Sequence, residues 1–101
     1  MKHRQFIHNL YINFKTLGIV ANQYEFSSLC GRTPAWFSAI KARNLPMTSD
    51  ALLMLYYNTK LKADSCLNED RKNAVLQLSE EILDQAFFEV RHKIAAKTVA
   101  L

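Results

Sequence analysis

Beyond Pro46 the chain contains no Gly and no Pro. A stretch that long, without the two residues that interrupt helices most strongly, leaves room for little except long helices. In the whole chain Gly and Pro number two each and half of the residues are apolar, which fits neither a disordered nor a low-complexity segment. The expected fold is all-α, and 101 residues suffice for one compact unit. The longest apolar run, Ala51 to Tyr57, is far shorter than the ~20 residues a membrane-spanning helix requires. Asn9, Asn13 and Lys15 interrupt any signal-peptide core behind Lys2-His3-Arg4. The expectation is a soluble cytoplasmic protein with no membrane partner.

Five helices follow from periodicity and capping residues. Phe6, Ile7, Leu10, Phe14 and Leu17 recur at helical spacing over about 3–17, and Gly18 closes that helix in a left-handed cap. Asn22 is a good N-cap, with Glu25 completing a capping box and Ala21 placed to staple onto Phe26. This second helix covers about 23–30 and stops at Gly31. Thr33 reads as the next N-cap, with Pro34 at the first helical position of a helix over about 34–43. Asn44-Leu45-Pro46 ends it, and Thr48 or Ser49 caps a fourth helix, about 50–63, whose apolar residues go all the way round. It therefore reads as the buried central helix.

After polar breaks at Ser65 to Asn68, a fifth helix is expected over about 69–96. At 1.5 Å per residue it would span ~42 Å, too long for the domain it belongs to. Its apolar positions, from Val75 and Leu76 through Leu83, Phe87, Val90 and Ile94, sweep half of its circumference. A one-sided surface helix requires a stripe of only ~100°. Two packing partners account for the width: its own domain and a second copy of the chain. Leu83, Phe87, Val90 and Ile94 are the expected seam. Residues 1–64 thus form the binding domain and 65–101 the dimerisation element of the same compact unit. Phe88 falls on the polar side with Gln77, Glu81 and Asp84.

Charge is unevenly spread. Residues 1–44 hold six basic side chains against Glu25 alone, a net of +5, whereas residues 45–101 hold seven basic and eight acidic ones, a net of −1. Such asymmetry suits a nucleic-acid face beside an element with another task.

The spacing of Phe26, Ser27, Cys30, Gly31, Phe37 and Ile40 resembles the helix-turn-helix motif of bacterial and phage repressors. That motif places a small residue fifth, Gly ninth, and apolar residues fourth, eighth, fifteenth and eighteenth. Arg32 departs from it, standing where an apolar residue is usual. Cys30-Gly31-Arg32-Thr33-Pro34-Ala35-Trp36 also resembles a family of small uncharacterised bacterial proteins with a Leu-Gly-Arg-Ser-Pro-Ser-aromatic core. The resemblance covers about residues 20–62.

It implies a helix-turn-helix at about 23–43 whose second helix enters the major groove of double-stranded DNA. Thr33, Ala35, Ser38 and Ala39 would then face bases, and Arg32, Lys41 and Arg43 would suit phosphates. Close helix packing is the other reading of the Ala residues. Trp36 covers the junction with the fourth helix or lies against the sugar-phosphate backbone. A surplus of phosphate binders over base readers implies modest specificity per half-site, which dimerisation on an inverted repeat would multiply. The expected function is a small DNA-binding transcriptional regulator. The rival is a helical interaction module, an antiactivator or adaptor that binds another regulatory protein.

Nothing in the sequence asks for catalysis. His3, His8 and His92 are far apart or on different helical faces, no Gly-rich phosphate loop occurs, and metal-ligand spacing is missing. No enzyme activity, metal or cofactor is expected. Cys30 and Cys66 read as buried free thiols, with a redox or interchain role as the alternative.

Overall fold

A computed structural model describes the backbone of residues 3–100 and the side chains of residues 5–91. Five helices run in order: α1 (His3–Thr16), α2 (Gln23–Leu29), α3 (Trp36–Ala42), α4 (Ser49–Asp64) and α5 (Glu69–Ala100). The fold is all-α, and there is no strand among the described residues.

The first three helices end in the same way. Each is followed by one residue in the left-handed region: Gly18 at φ 73°, Gly31 at φ 70° and Asn44 at φ 52°. After α1, the Gly18 N–H donates to the Lys15 carbonyl (3.0 Å) and the Ile19 N–H to the Phe14 carbonyl (2.9 Å). After α2, Gly31 donates to Ser28 (2.9 Å) and Arg32 to Ser27 (3.0 Å). After α3, Asn44 donates to Lys41 (3.2 Å) and Leu45 to Ile40 (2.9 Å). These paired bonds are Schellman motifs, which satisfy carbonyls that the helix itself leaves open. Asn at the third site is the common non-Gly occupant of that conformation.

The start of α2 departs slightly from the expected box. The Asn22 side chain accepts from the Glu25 N–H (3.0 Å), but the Glu25 carboxylate accepts from the Ala21 N–H (2.8 Å), one residue before the cap. Thr48 caps α4, accepting from the Ala51 N–H (3.2 Å). The Asn68 side chain accepts from the Arg71 N–H (2.9 Å) at the start of α5. The polar break between α4 and α5 is therefore where the sequence puts it.

Aromatic rings hold α1, α2 and α3 together. Phe26 of α2 is fully buried. It meets Phe14 edge-on at 5.4 Å, Tyr11 at 5.8 Å and Phe37 at 5.0 Å between centroids. Such edge-to-face pairs contribute beyond their buried area. The second half of the core is the hairpin of α4 and α5. Ala51, Leu52, Leu55, Thr59 and Ala63 are its buried face on α4, and Val75, Leu78, Ser79, Ile82 and Ala86 on α5. Small residues on both faces let the backbones approach. The two buried hydroxyls bond to their own helix, Thr59 Oγ1 donating to the Leu55 carbonyl and Ser79 Oγ to Leu76, each at 2.6 Å.

Three expectations are corrected. Helix α3 begins at Trp36, because Thr33 to Ala35 form a turn in which the Trp36 N–H donates to the Thr33 carbonyl (3.0 Å). Helix α5 continues to Ala100 rather than 96, since no breaker stops it. Helix α4 is not buried all round: Leu53 (45 %), Met54 (45 %), Tyr57 (60 %) and Leu61 (49 %) form an exposed apolar stripe opposite its buried face. The apolar circle of α4 is therefore covered on one side, mainly by α5, and is open on the other.

Gly31 is constrained twice. Its φ is left-handed, and a Cβ there would lie 3.1 Å from Cγ of Met54 on α4. Gly31→Val should destabilise the domain by about 1–3 kcal/mol, read as a fall of several degrees in the melting temperature. An unchanged melting curve would remove the turn from this account.

Candidate nucleic-acid interface

The α2–α3 pair is assembled around Ser27. Its side chain is fully buried, and its Oγ accepts a hydrogen bond from the Phe37 N–H at 3.1 Å. One small residue on α2 therefore permits close crossing and also supplies the capping acceptor near the start of α3. Sequence reasoning assigned that cap to Thr33. A cap contributed by a residue ten positions upstream has no local signature.

Phe37 and Ile40 face the core, whereas Ala35, Ser38, Ala39 and Ala42 are exposed. These four fall at i, i+3, i+4 and i+7, so they share one side of α3 and its lead-in turn. Ser38 Oγ donates to Gln23 Oε1 of α2 at 2.7 Å. Gln23 was not picked out in the sequence, although a Gln just inside a capped helix start was a visible clue. Thr33 is exposed on the turn. Trp36 is half-buried and packs against the hydrophobic core.

The basic residues divide between the two ends of α3. Lys41 lies with its Nζ 5.3 Å from the centroid of the Phe37 ring, and Arg43 is exposed at the helix end. Arg32, before the helix, donates from its guanidinium to Thr48 Oγ1 at 3.1 Å. Its departure from the motif thus has a local cause: the side chain bridges from the turn to the cap of α4. A shallow groove beside it is lined by Gly31, Arg32, Asp50, Leu53, Met54 and Tyr57.

Neither cysteine is in a disulfide; Cys30 is buried as expected, but Cys66, in the break between α4 and α5, is only partly buried. Burial pushes the Cys30 thiol up to about 12, with the nearby Arg32 charge pulling weakly the other way. Among the described residues, no group of three or more His, Cys, Asp or Glu side chains could hold a metal ion. No helix of the described residues is long and apolar enough to cross a membrane.

On α5, Leu83 is half-buried, and Phe87 (54 %) and Val90 (38 %) are exposed. The Ile94 side chain lies outside the described residues. Phe88 is not on a purely polar face: with Phe6, Leu10, Asn9, Asn13 and Glu81 it lines an open groove of about 520 Å³ between α1 and α5.

The geometry defines an all-α chain in which two short helices meet through a tight glycine turn beside a long helical hairpin. A family model described as "Family of unknown function (DUF6626)" matches residues 7–101, and the chain belongs to that family. No curated protein and no solved structure matches it.

Two outcomes check this geometry. Ser27→Ala leaves the buried Phe37 N–H without its acceptor and should cost about 1–3 kcal/mol of stability, measured by denaturant unfolding. A thiol-specific reagent at pH 8 should label Cys66 in the folded protein and leave Cys30 unreacted until unfolding, because a thiol held near 12 contributes almost no thiolate.

Proposed function

We propose that the protein is a small DNA-binding transcriptional regulator of the helix-turn-helix kind, acting in the bacterial cytoplasm as a homodimer on an inverted-repeat site. The observation that carries this reading is the α2–turn–α3 unit. Its second helix is pinned by the Ser27–Phe37 bond, and its outer side holds only small residues, Ala35, Ser38, Ala39 and Ala42. Small side chains let a helix backbone sit deep in a major groove. Ala35 and Ala39 suit thymine methyl groups, and Thr33 and Ser38 suit base-edge hydrogen bonds. Arg32, Lys41 and Arg43 flank this surface and suit phosphates. Two such units related by a two-fold axis and held by Leu83, Phe87, Val90 and Ile94 would read successive grooves about 34 Å apart.

A second reading is favoured by one observation, the exposed stripe of Leu53, Met54, Tyr57 and Leu61 on α4. An apolar surface of that kind supports docking of another regulatory protein. The outer side of α3 and this stripe are different surfaces, which adjoin at the groove that Arg32 shares with Leu53, Met54 and Tyr57.

The test is a titration of random-sequence duplex at several salt concentrations. Lys41→Ala and Arg43→Ala should each weaken binding to all sequences alike and lower the salt slope by about 1. Leu83→Asp with Phe87→Asp should give helical monomers with most of the DNA affinity lost. Folded protein that binds no duplex even at low salt would overturn the DNA reading and leave the docking reading standing.

A further inference from the structure

Resting on the homodimer reading above, we propose that α5 pairs with α5 of a second copy in antiparallel orientation, with Phe87 of each copy opposite Val90 of the other. The two-fold axis then passes between positions 88 and 89.

The first ground is the uncovered length of the helix. Among the described residues of α5, none after Ala86 is buried. On one side Phe88 and Glu89 still line grooves with α1, and on the other Phe87 and Val90 are exposed. Leu76, Leu83, Phe87 and Val90 follow spacings of seven, four and three, the repeat of a coiled-coil seam. At ~100° per residue, Phe88 points about 100° away from Phe87, toward the groove it lines with α1. The seam and that groove are separate surfaces.

Charge decides the orientation. Glu80 occupies the seam position between Leu76 and Leu83, and exposed Asp84 and Arg91 flank the seam on its solvent side. In a parallel, in-register pair only residues in the seam itself meet their own copies, whereas the flanking residues Asp84 and Arg91 lie on opposite sides of the pair from theirs. Glu80 would face Glu80 across the seam, a repulsive contact, and neither Asp84 nor Arg91 would touch its counterpart. In the antiparallel pair with Phe87 opposite Val90, position 84 lies opposite position 93. Arg91 of the other copy is then two residues away, about 3 Å along the axis. Asp84 and Arg91 meet across the seam, and symmetry makes the contact twice. The same surface is therefore self-complementary in one orientation, whereas the other sets Glu80 against its own copy and leaves Asp84 and Arg91 without opposite charges to meet.

Two measurements test this. Asp84→Arg alone and Arg91→Asp alone should each raise the dimer dissociation constant about tenfold, because two attractive contacts become repulsive. The double reversal should restore it, and a double variant as weak as the singles would overturn the pairing. Second, a spin label at Gln77→Cys in a Cys66→Ser background reports orientation directly, since buried Cys30 resists labelling. Position 77 lies opposite position 100 in the antiparallel pair, which predicts a separation of about 35 Å. A separation below about 20 Å would mean a parallel pair and would overturn this inference while leaving the homodimer intact. Absence of any dimer, with helicity retained by circular dichroism, would overturn both.

Discussion

Phe26 is the point on which the amino-terminal half of the molecule closes. Phe14 and Tyr11 reach it from α1 and Phe37 from α3, all within 5.8 Å between centroids. Helices as short as α2 and α3, seven residues each, have almost no stability of their own. They exist because a ring on each is buried against rings on the others. Replacing any one ring with a small side chain would leave a cavity shared by three helices, so the angle of α3 to the rest depends on packing far from its own exposed side.

A second set of constraints acts on chain direction. The Schellman motifs after α1, α2 and α3 turn the backbone sharply and satisfy the carbonyls that would otherwise be stranded. At Gly31 the turn is squeezed from outside as well, by Met54 of α4. Arg32 then bridges from the turn to Thr48, the cap of α4. The turn between α2 and α3 is therefore fixed by the helical hairpin behind it. This coupling lets seven-residue α3 present a defined outer surface instead of fraying.

The two halves differ in what holds them. The first is an aromatic cluster with sharp turns and a net charge of +5, and the second is a long hairpin of small and aliphatic residues with a net charge of −1. Among the described residues, apolar surface is left over mainly on the second half, on α4 and around Phe87 to Val90 of α5. A positive unit carrying small exposed residues and a near-neutral unit carrying exposed apolar ones are suited to different partners. That division underlies both functional readings.

Much of this was legible in the residues themselves. The absence of Gly and Pro beyond Pro46 dictates long helices, because nothing in that stretch favours a break except polar caps. Gly18 and Gly31 mark left-handed turns, and Asn22, Thr48 and Asn68 mark helix starts, since these effects act within four or five residues. The residues Phe26, Ser27, Cys30, Phe37 and Ile40, placed inward by the motif their spacing resembles, are all buried. Only the tertiary structure decided the rest. The cap near the start of α3 comes from Ser27 rather than Thr33, the apolar circle of α4 is half exposed, and Arg32 leans onto Thr48. Each of these depends on which elements lie beside one another. Local sequence records how a helix begins and which residues it would bury, but not which of its faces finds a neighbour.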